Sequence, residues 1–111
     1  MQLGGPTVSG IKNDTEKPKM DLISSKALVE LAKVLTFGAK KYSSNNWRGG
    51  IAYSRIIAAI LRHVVAYNDG ETNDPETGLS HMAHAFCEVM FLLEFEQTRP
   101  EFDDRYKKET K

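Results

Sequence analysis

Residues 70–95, GETNDPETGLSHMAHAFCEVMFLLEF, decide the fold of this chain. The second half of the segment predicts a helix that is apolar on nearly all sides, because its apolar residues leave no wide polar face. These residues are Leu79, Met82, Ala83, Phe86, Cys87, Val89, Met90, Phe91, Leu92 and Leu93. A helix of this kind lies in the middle of a bundle, where other helices cover it.

Three polar residues interrupt this apolar helix. His81, His84 and Glu88 recur at helical spacing, so at about 100° per residue they fall in one narrow stripe. Burying an unpaired polar group costs about 1–3 kcal/mol, so the stripe needs partners: another helix, a metal or a ligand. We therefore interpret the stripe as a functional site.

The composition predicts one small domain over residues 1–111, with an arm at 1–22 and a polar tail at 98–111. Of 111 residues, 41% are hydrophobic, and 15 basic side chains balance 15 acidic ones. A neutral chain has no overall field that attracts duplex nucleic acid. The single cysteine, the absence of a secretion-signal pattern and the lack of a long apolar run predict a cytoplasmic protein without a membrane partner.

The rest of the chain predicts two further helices. Ser24 or Ser25 caps the first, whose apolar residues repeat at helical spacing to about Lys41. The second covers residues 51–68 and is strongly amphipathic. Because strand-like alternation is missing, we expect an all-α fold, a small helical bundle of three main helices with an extended N-terminal arm.

Two segments outside the helices offer groups for a phosphate or a base. Lys17, Lys19 and Asp21 lie in the arm, which is either a solvated tail or a segment that brings lysines to a phosphate. In the loop KKYSSNNWRGG, Trp47 presents a flat stacking face beside polar neighbours, and the alternative is a Trp that plugs the bundle end. The loop residues that we assign to substrate binding are Lys41, Asn46, Trp47 and Arg48.

The end of the second helix and the following loop carry further candidates. Arg62 shares a helix face with Arg55, and His63 beside it either faces the polar stripe or is a structural histidine. Glu71, Asp74 and Glu76 then place three carboxylates close together, without the spacing of a calcium loop. Asp74 and Pro75 also predict a helix start, with Asp74 as the cap.

Six sequence blocks, in order, resemble a phage family, the dATP/dGTP diphosphohydrolase N-terminal domain, which is related to the MazG-like all-α nucleotide pyrophosphatases. The blocks are DTEKPKMDLIS, ALVELAKVLTFGAKKY, NNWRGG, LRHVVAY, GETNDPETGLSHMAHA and FLLE, and they span roughly residues 14–94. The resemblance implies a homo-oligomer, a dimer or tetramer, that cleaves a deoxynucleoside triphosphate to monophosphate and pyrophosphate with Mg or Mn. It implies a role in remodelling the phage nucleotide pool in the host cytoplasm.

Against the MazG-like pattern, whose third helix carries a Glu-x-x-Asp metal motif, His81 and His84 fall on the two ligand positions. Two histidines also suit Zn, Fe or Ni, and the Glu-x-x-Glu motif of that family is absent from the second helix. The metal is then held by a set drawn from Glu30, His63, Glu71, Asp74, His81, His84 and Glu88. Otherwise the bundle is a non-catalytic phage protein that sequesters a nucleotide, or an interaction module.

From these alternatives we predict an enzyme. We assign the metal to His81, His84 and Glu88, and catalysis to Glu71, Asp74 and His63. The predicted substrate contacts are Lys17, Lys19, Asp21, Lys41, Asn46, Trp47, Arg48 and Arg62.

Overall fold

A computed structural model describes residues 10–107 of the chain. It contains three α-helices, α1 (Ser25–Lys41), α2 (Tyr53–Asn68) and α3 (His81–Thr98), and short 3-10 turns at Met20–Leu22, Asn46–Gly49 and Pro100–Phe102. Residues 10–107 include no strand, only an isolated bridge between Asn73 and Ser80. The predicted all-α fold is confirmed.

Hydroxyl caps fix where α1 and α3 begin. The Ser24 Oγ atom accepts a hydrogen bond from the Ala27 amide at 3.1 Å, and Ser80 Oγ accepts one from the Met82 amide at the same distance. Each cap satisfies one of the amides that have no partner inside the first turn. Because α3 begins at His81, the prediction that Asp74 and Pro75 start this helix is wrong.

The core lies where α3 packs against both α1 and α2. Phe95 of α3 is 0% exposed and Ile56 of α2 is 1% exposed, and Leu31 and Val34 are the buried residues of α1. The helical repeat brings these side chains to the inner faces, where the removal of apolar surface from water stabilises the bundle. This confirms the predicted central position of α3.

The chain after α3 packs back on the start of α2. The Tyr53 hydroxyl lies 3.0 Å from the Phe95 carbonyl oxygen and 3.2 Å from that of Arg99, and it donates to these acceptors. The Asp104 carboxylate accepts hydrogen bonds from the amide and the hydroxyl of Ser54, at 2.8 and 2.6 Å. An acceptor from the tail thus satisfies an amide in the first turn of α2.

The described part of the N-terminal arm, residues 10–24, is solvent-exposed. Ahead of the 3-10 turn at Met20–Leu22, the Lys17 amide donates to the Asp14 carbonyl and the Met20 amide donates to the Pro18 carbonyl, both at 3.0 Å. Residues 1–9 of the predicted arm and 108–111 of the predicted tail lie outside the described residues. Within residues 10–107, no helix has the length and hydropathy needed to cross a membrane.

Candidate functional site

The loop between α2 and α3 is folded by its own backbone. The His81 amide donates to the Thr72 carbonyl at 2.9 Å, and the Asp74 amide donates to the Leu79 carbonyl at 2.8 Å. The Gly78 amide closes the turn by donating to the Asp74 carbonyl at 2.7 Å, with a φ of +75° that favours glycine. These bonds turn Asp74 back toward α2 and the first turn of α3.

Three side chains converge at this point. His63 of α2, Asp74 of the loop and His81 of α3 each offer one ligand atom, and these atoms lie within 4.8 Å of one another. The two Nδ1 atoms of His63 and His81 are 2.9 Å apart, and His63 Nδ1 lies 4.0 Å from Asp74 Oδ2. His81 is only 5% exposed. This is a two-histidine, one-carboxylate group, a ligand type that binds transition metals.

Glu71 sets the orientation and the tautomer of His81. The Nε2 atom of His81 is 2.7 Å from Glu71 Oε1. An ionised carboxylate only accepts hydrogen bonds, so His81 donates from Nε2, and its neutral ring carries the lone pair on Nδ1. That lone pair faces His63. A carboxylate behind a ligating histidine is a common arrangement at metal sites, where it fixes the ring and raises its basicity.

His84 lies beside the group but has another partner. Its Nε2 atom is 2.7 Å from Thr77 Oγ1, which also accepts a hydrogen bond from the Leu79 amide at 3.1 Å. The rings of His63 and His84 stack with their centroids 4.9 Å apart and their planes 9° apart. The geometry therefore places His84 against His63 and Thr77, outside the group of three.

The environment favours the neutral form of the two stacked histidines. Burial lowers the pKa of His63, and the neighbouring His84 and His81 act in the same direction. Burial also lowers the pKa of His84, with Asp74 opposing it. A neutral imidazole has a free ring-nitrogen lone pair, which a metal ligand or a proton acceptor requires.

Glu88 and Cys87 lie deeper along the same face of α3. Burial raises the pKa of Glu88, and the positive charge of Arg62 partly offsets this. Glu88 does not belong to the group of three. Burial raises the pKa of the Cys87 thiol to about 12, so this side chain stays protonated at neutral pH and is a poor ligand.

An open cleft of about 1430 Å³ runs between α1, the Asn46–Gly49 turn, α2 and α3. Most of the predicted site residues line it, namely Lys41, Asn46, Trp47, Arg48, Arg62, His63, Asp74, His84 and Glu88. Lys17, Lys19 and Asp21 are exposed on the arm and are not part of its wall. Glu30 bonds to Lys33 on the surface at 2.8 Å and is also away from the cleft. Lys41 reaches Glu76 at 3.5 Å, so the end of α1 lies near the acidic loop.

Trp47 lies at the opposite end of the cleft, against the core. Its ring stacks on Phe91 with centroids 4.5 Å apart, and the Arg48 guanidinium carbon is 4.5 Å from the ring centroid. Arg48 in turn bonds to Asn45 Oδ1 at 2.8 Å and lies 3.6 Å from Glu94. The structure thus gives Trp47 protein neighbours and keeps part of its ring in the cleft wall.

Sequence reasoning did not assign Thr77 or Arg55 to the site, although both line the cleft. No repeat in the sequence indicates Thr77, because it lies in a loop and reaches His84 only when that loop is folded. Arg55 had a signal, since it precedes Arg62 by two helical turns on the same face of α2.

The fold and the site define an all-α domain with a histidine and carboxylate group beside an open cleft, which His63 and Asp74 line and His81 does not. The chain matches, over residues 7–105, the family described as dATP/dGTP diphosphohydrolase, N-terminal, and it belongs to that family. It is 39% identical over 98 residues to a dATP/dGTP diphosphohydrolase of Salmonella phage PMBT28, covering 88% of this chain and 33% of the relative. The chain therefore spans about a third of the length of that relative. No solved structure matches it significantly. The family predicted from the sequence blocks is confirmed.

Proposed function

We propose that this protein takes part in the metal-dependent hydrolysis of a deoxynucleoside triphosphate such as dATP or dGTP to monophosphate and pyrophosphate. The family and the activity for which the phage relative is named support a nucleotide substrate. The observation that carries the proposal is the His63, Asp74 and His81 group beside an open cleft. As a phage protein it would act on the nucleotide pool in the host cytoplasm.

The donor atoms suit a divalent ion of the first transition row. Ligand atoms at about 2.0–2.2 Å from one ion lie no more than about 4.4 Å apart, so small side-chain movements bring the three atoms round one centre. Imidazole nitrogens favour Zn, Fe or Ni, whereas Mg prefers oxygen ligands only. Mn can bind nitrogen and oxygen ligands of this kind, and it is one of the two metals that the family resemblance implies. When bound, such an ion supplies polarisation of a phosphoryl oxygen and a more acidic bound water.

The surrounding side chains have separate roles in this proposal. His63, Asp74 and His81 would hold the ion, and Glu71 positions His81 through its Nε2 proton. Glu88, which lines the same cleft, would accept the proton of the attacking water, because a carboxylate whose pKa is raised by burial is a stronger base. Arg62, which lines the same cleft, contacts the phosphates. These roles reassign His63 and Asp74 from catalysis to metal binding and Glu88 from metal binding to proton transfer.

The test measures metal content and turnover on one preparation of the purified chain. We expect Mn-dependent conversion of dATP or dGTP to the monophosphate and pyrophosphate, separated by anion-exchange chromatography. Replacing His81 by Ala should abolish both bound metal and turnover. Tight nucleotide binding without turnover under Mn or Mg would instead favour the sequestering function, which the missing Glu-x-x-Glu motif on α2 supports.

A further inference from the structure

The arginines of this chain fall into two groups. Arg48, Arg99 and Arg105 each have a carboxylate within 4.0 Å, on Glu94, Glu101 and Asp103 respectively. In the part of the chain that the structure describes, Arg55 and Arg62 form no such pair and no side-chain hydrogen bond. All five arginines lie within residues 10–107, so this contrast covers the whole set.

The two unpaired arginines share one face of α2 and one wall of the cleft. Both are exposed and both line it. They are two helical turns apart, about 10.5 Å along the helix axis at about 1.5 Å per residue. Arg62 directly precedes His63, a member of the group of three, and Arg55 lies on the side of the cleft toward Trp47. The order along the cleft is therefore His63, Arg62, then Arg55.

We propose that Arg55 and Arg62 form a binding site for the two terminal phosphates of a triphosphate. The proposal rests on the proposed function, because it takes the reacting phosphoryl group to lie at His63, Asp74 and His81. The next phosphate then meets Arg62, and the terminal phosphate meets Arg55. A planar guanidinium with two parallel N–H groups matches a phosphate and binds it in a bidentate manner.

The wall of the cleft formed by α3, opposite Arg55 and Arg62, does not prevent an anion from binding to these arginines. Of the carboxyl groups of α3 in this wall, Glu94 lies 3.6 Å from Arg48, which balances its charge. Glu88, the other carboxyl group of α3 in this wall, interacts with the positive charge of Arg62 but forms no ion pair with it within 4.0 Å. In the described part of the chain, Arg55 likewise has no carboxylate within 4.0 Å, so both guanidinium groups can bind an anion. The two arginines would therefore hold a pyrophosphate unit, whether it is free or part of a triphosphate.

Inorganic tripolyphosphate and pyrophosphate are the probes, titrated into the metal-free chain in EDTA at low salt and followed by calorimetry. We expect Arg55→Gln and Arg62→Gln each to weaken the binding of tripolyphosphate and of pyrophosphate about tenfold, because pyrophosphate is the pair of phosphates that the two guanidinium groups would hold. The control, Lys40→Gln, removes one positive charge from an exposed position of α1 outside the cleft and should change neither.

Arg55→Lys adds a geometric check, because it keeps the charge and removes the planar fork. It should recover only part of the lost affinity. If tripolyphosphate does not bind the wild-type chain, or if Arg55→Gln behaves as Lys40→Gln does, the proposal is overturned. Arginine-dependent binding of tripolyphosphate without Mn-dependent turnover would support this site while rejecting the proposed hydrolysis, so the two failures are distinguishable.

Discussion

The Nε2 atom of His81 lies 2.7 Å from Oε1 of Glu71, and this contact determines what the other side of the His81 ring can do. The proton sits on Nε2, so the lone pair is on Nδ1 and faces His63 Nδ1 at 2.9 Å. Without an ion, a proton on His63 Nδ1 bridges the two rings. Were an ion bound, the Nδ1 lone pairs of both histidines would face it. Glu71 thus orients the His81 lone pair without belonging to the group of three.

Glu71→Ala should weaken metal binding by about 10–100-fold, as the loss of a carboxylate behind a ligating histidine commonly does. The melting temperature should change little, because the Glu71 side chain is half exposed. Mn binding measured by titration and thermal unfolding followed by circular dichroism provide the two readouts. Glu76→Ala is the matched control, since Glu76 lies in the same loop and bonds to Lys41. Equal losses in the two variants would mean that only the general charge of the loop matters.

His81→Ala and His84→Ala should separate metal binding from loop stability. His81→Ala is expected to remove the metal, because it deletes one of three converging ligand atoms. His84→Ala should keep the metal and lower the free energy of unfolding by about 1 kcal/mol, because it breaks the contact with Thr77 Oγ1. Metal content by mass spectrometry and melting temperature, measured on one preparation of each variant, check this. Loss of metal in His84→Ala would restore His84 as a ligand.

The attachment of the C-terminal segment to α2 should weaken in acid. Hydrogen bonds from Ser54 hold the pKa of Asp104 below its ordinary value of 3.8. A carboxyl group whose pKa is lower in the folded state than in the unfolded state stabilises the fold at a pH above its pKa in the unfolded state. This stabilisation is lost as the pH falls through its pKa in the folded state. The melting temperature should therefore fall more between pH 5 and pH 3 in the wild type than in Asp104→Ala. Glu101→Gln serves as the control, and an identical pH response in Asp104→Ala and wild type would contradict the prediction.

The uncovered side of α3 predicts self-association. Phe86, Val89 and Leu93 form an apolar stripe opposite the buried face, and Leu93 is 58% exposed. An apolar stripe of this kind is a common interface between copies of one chain. We expect a dimer or tetramer in sedimentation at micromolar concentration, and a monomer with unchanged helicity for Leu93→Glu. Ser25→Glu adds the same charge at the exposed start of α1, away from this stripe, and should not dissociate it. A monomeric wild type would refute the prediction.

The helices could be predicted closely because their signals are local. Apolar residues at helical spacing and the cap at Ser24 gave the start of α1, and α2 ends at Asn68, just before Asp69 and Gly70. Such signals depend on residues a few positions apart, which interact within one helix whatever the rest of the chain does.

The site was only partly predictable, because the loop before α3 is folded by backbone hydrogen bonds that leave no pattern in the sequence. The stripe on α3 led to His81 and His84, but helical spacing does not show that Glu71 and Thr77 are the partners of these rings. Asp74 resembled a helix cap, and its actual placement depends on amides of its own loop. Contacts between α2, the loop and α3 join residues up to 18 positions apart, beyond the reach of local spacing.

Trp47 decides between two orientations of a nucleotide in the cleft, because it lies toward the Arg55 end, where the phosphate order proposed above puts the terminal phosphate and the reverse order puts the base. Because its ring stacks on Phe91 at 4.5 Å, Trp47→Ala should lower the melting temperature by several degrees. A fully buried Trp→Ala change costs about 3–5 kcal/mol, and the half-buried Trp47 should cost less. Trp47→Phe keeps an aromatic ring against Phe91 and is the matched control. The affinity for dATP is compared with the affinity for tripolyphosphate, both measured well below the melting temperature. The difference isolates the contribution of the nucleoside to binding. If Trp47→Ala weakens dATP binding and leaves tripolyphosphate binding unchanged, the indole contacts the base; unchanged dATP affinity together with lost stability would assign Trp47 to the core alone.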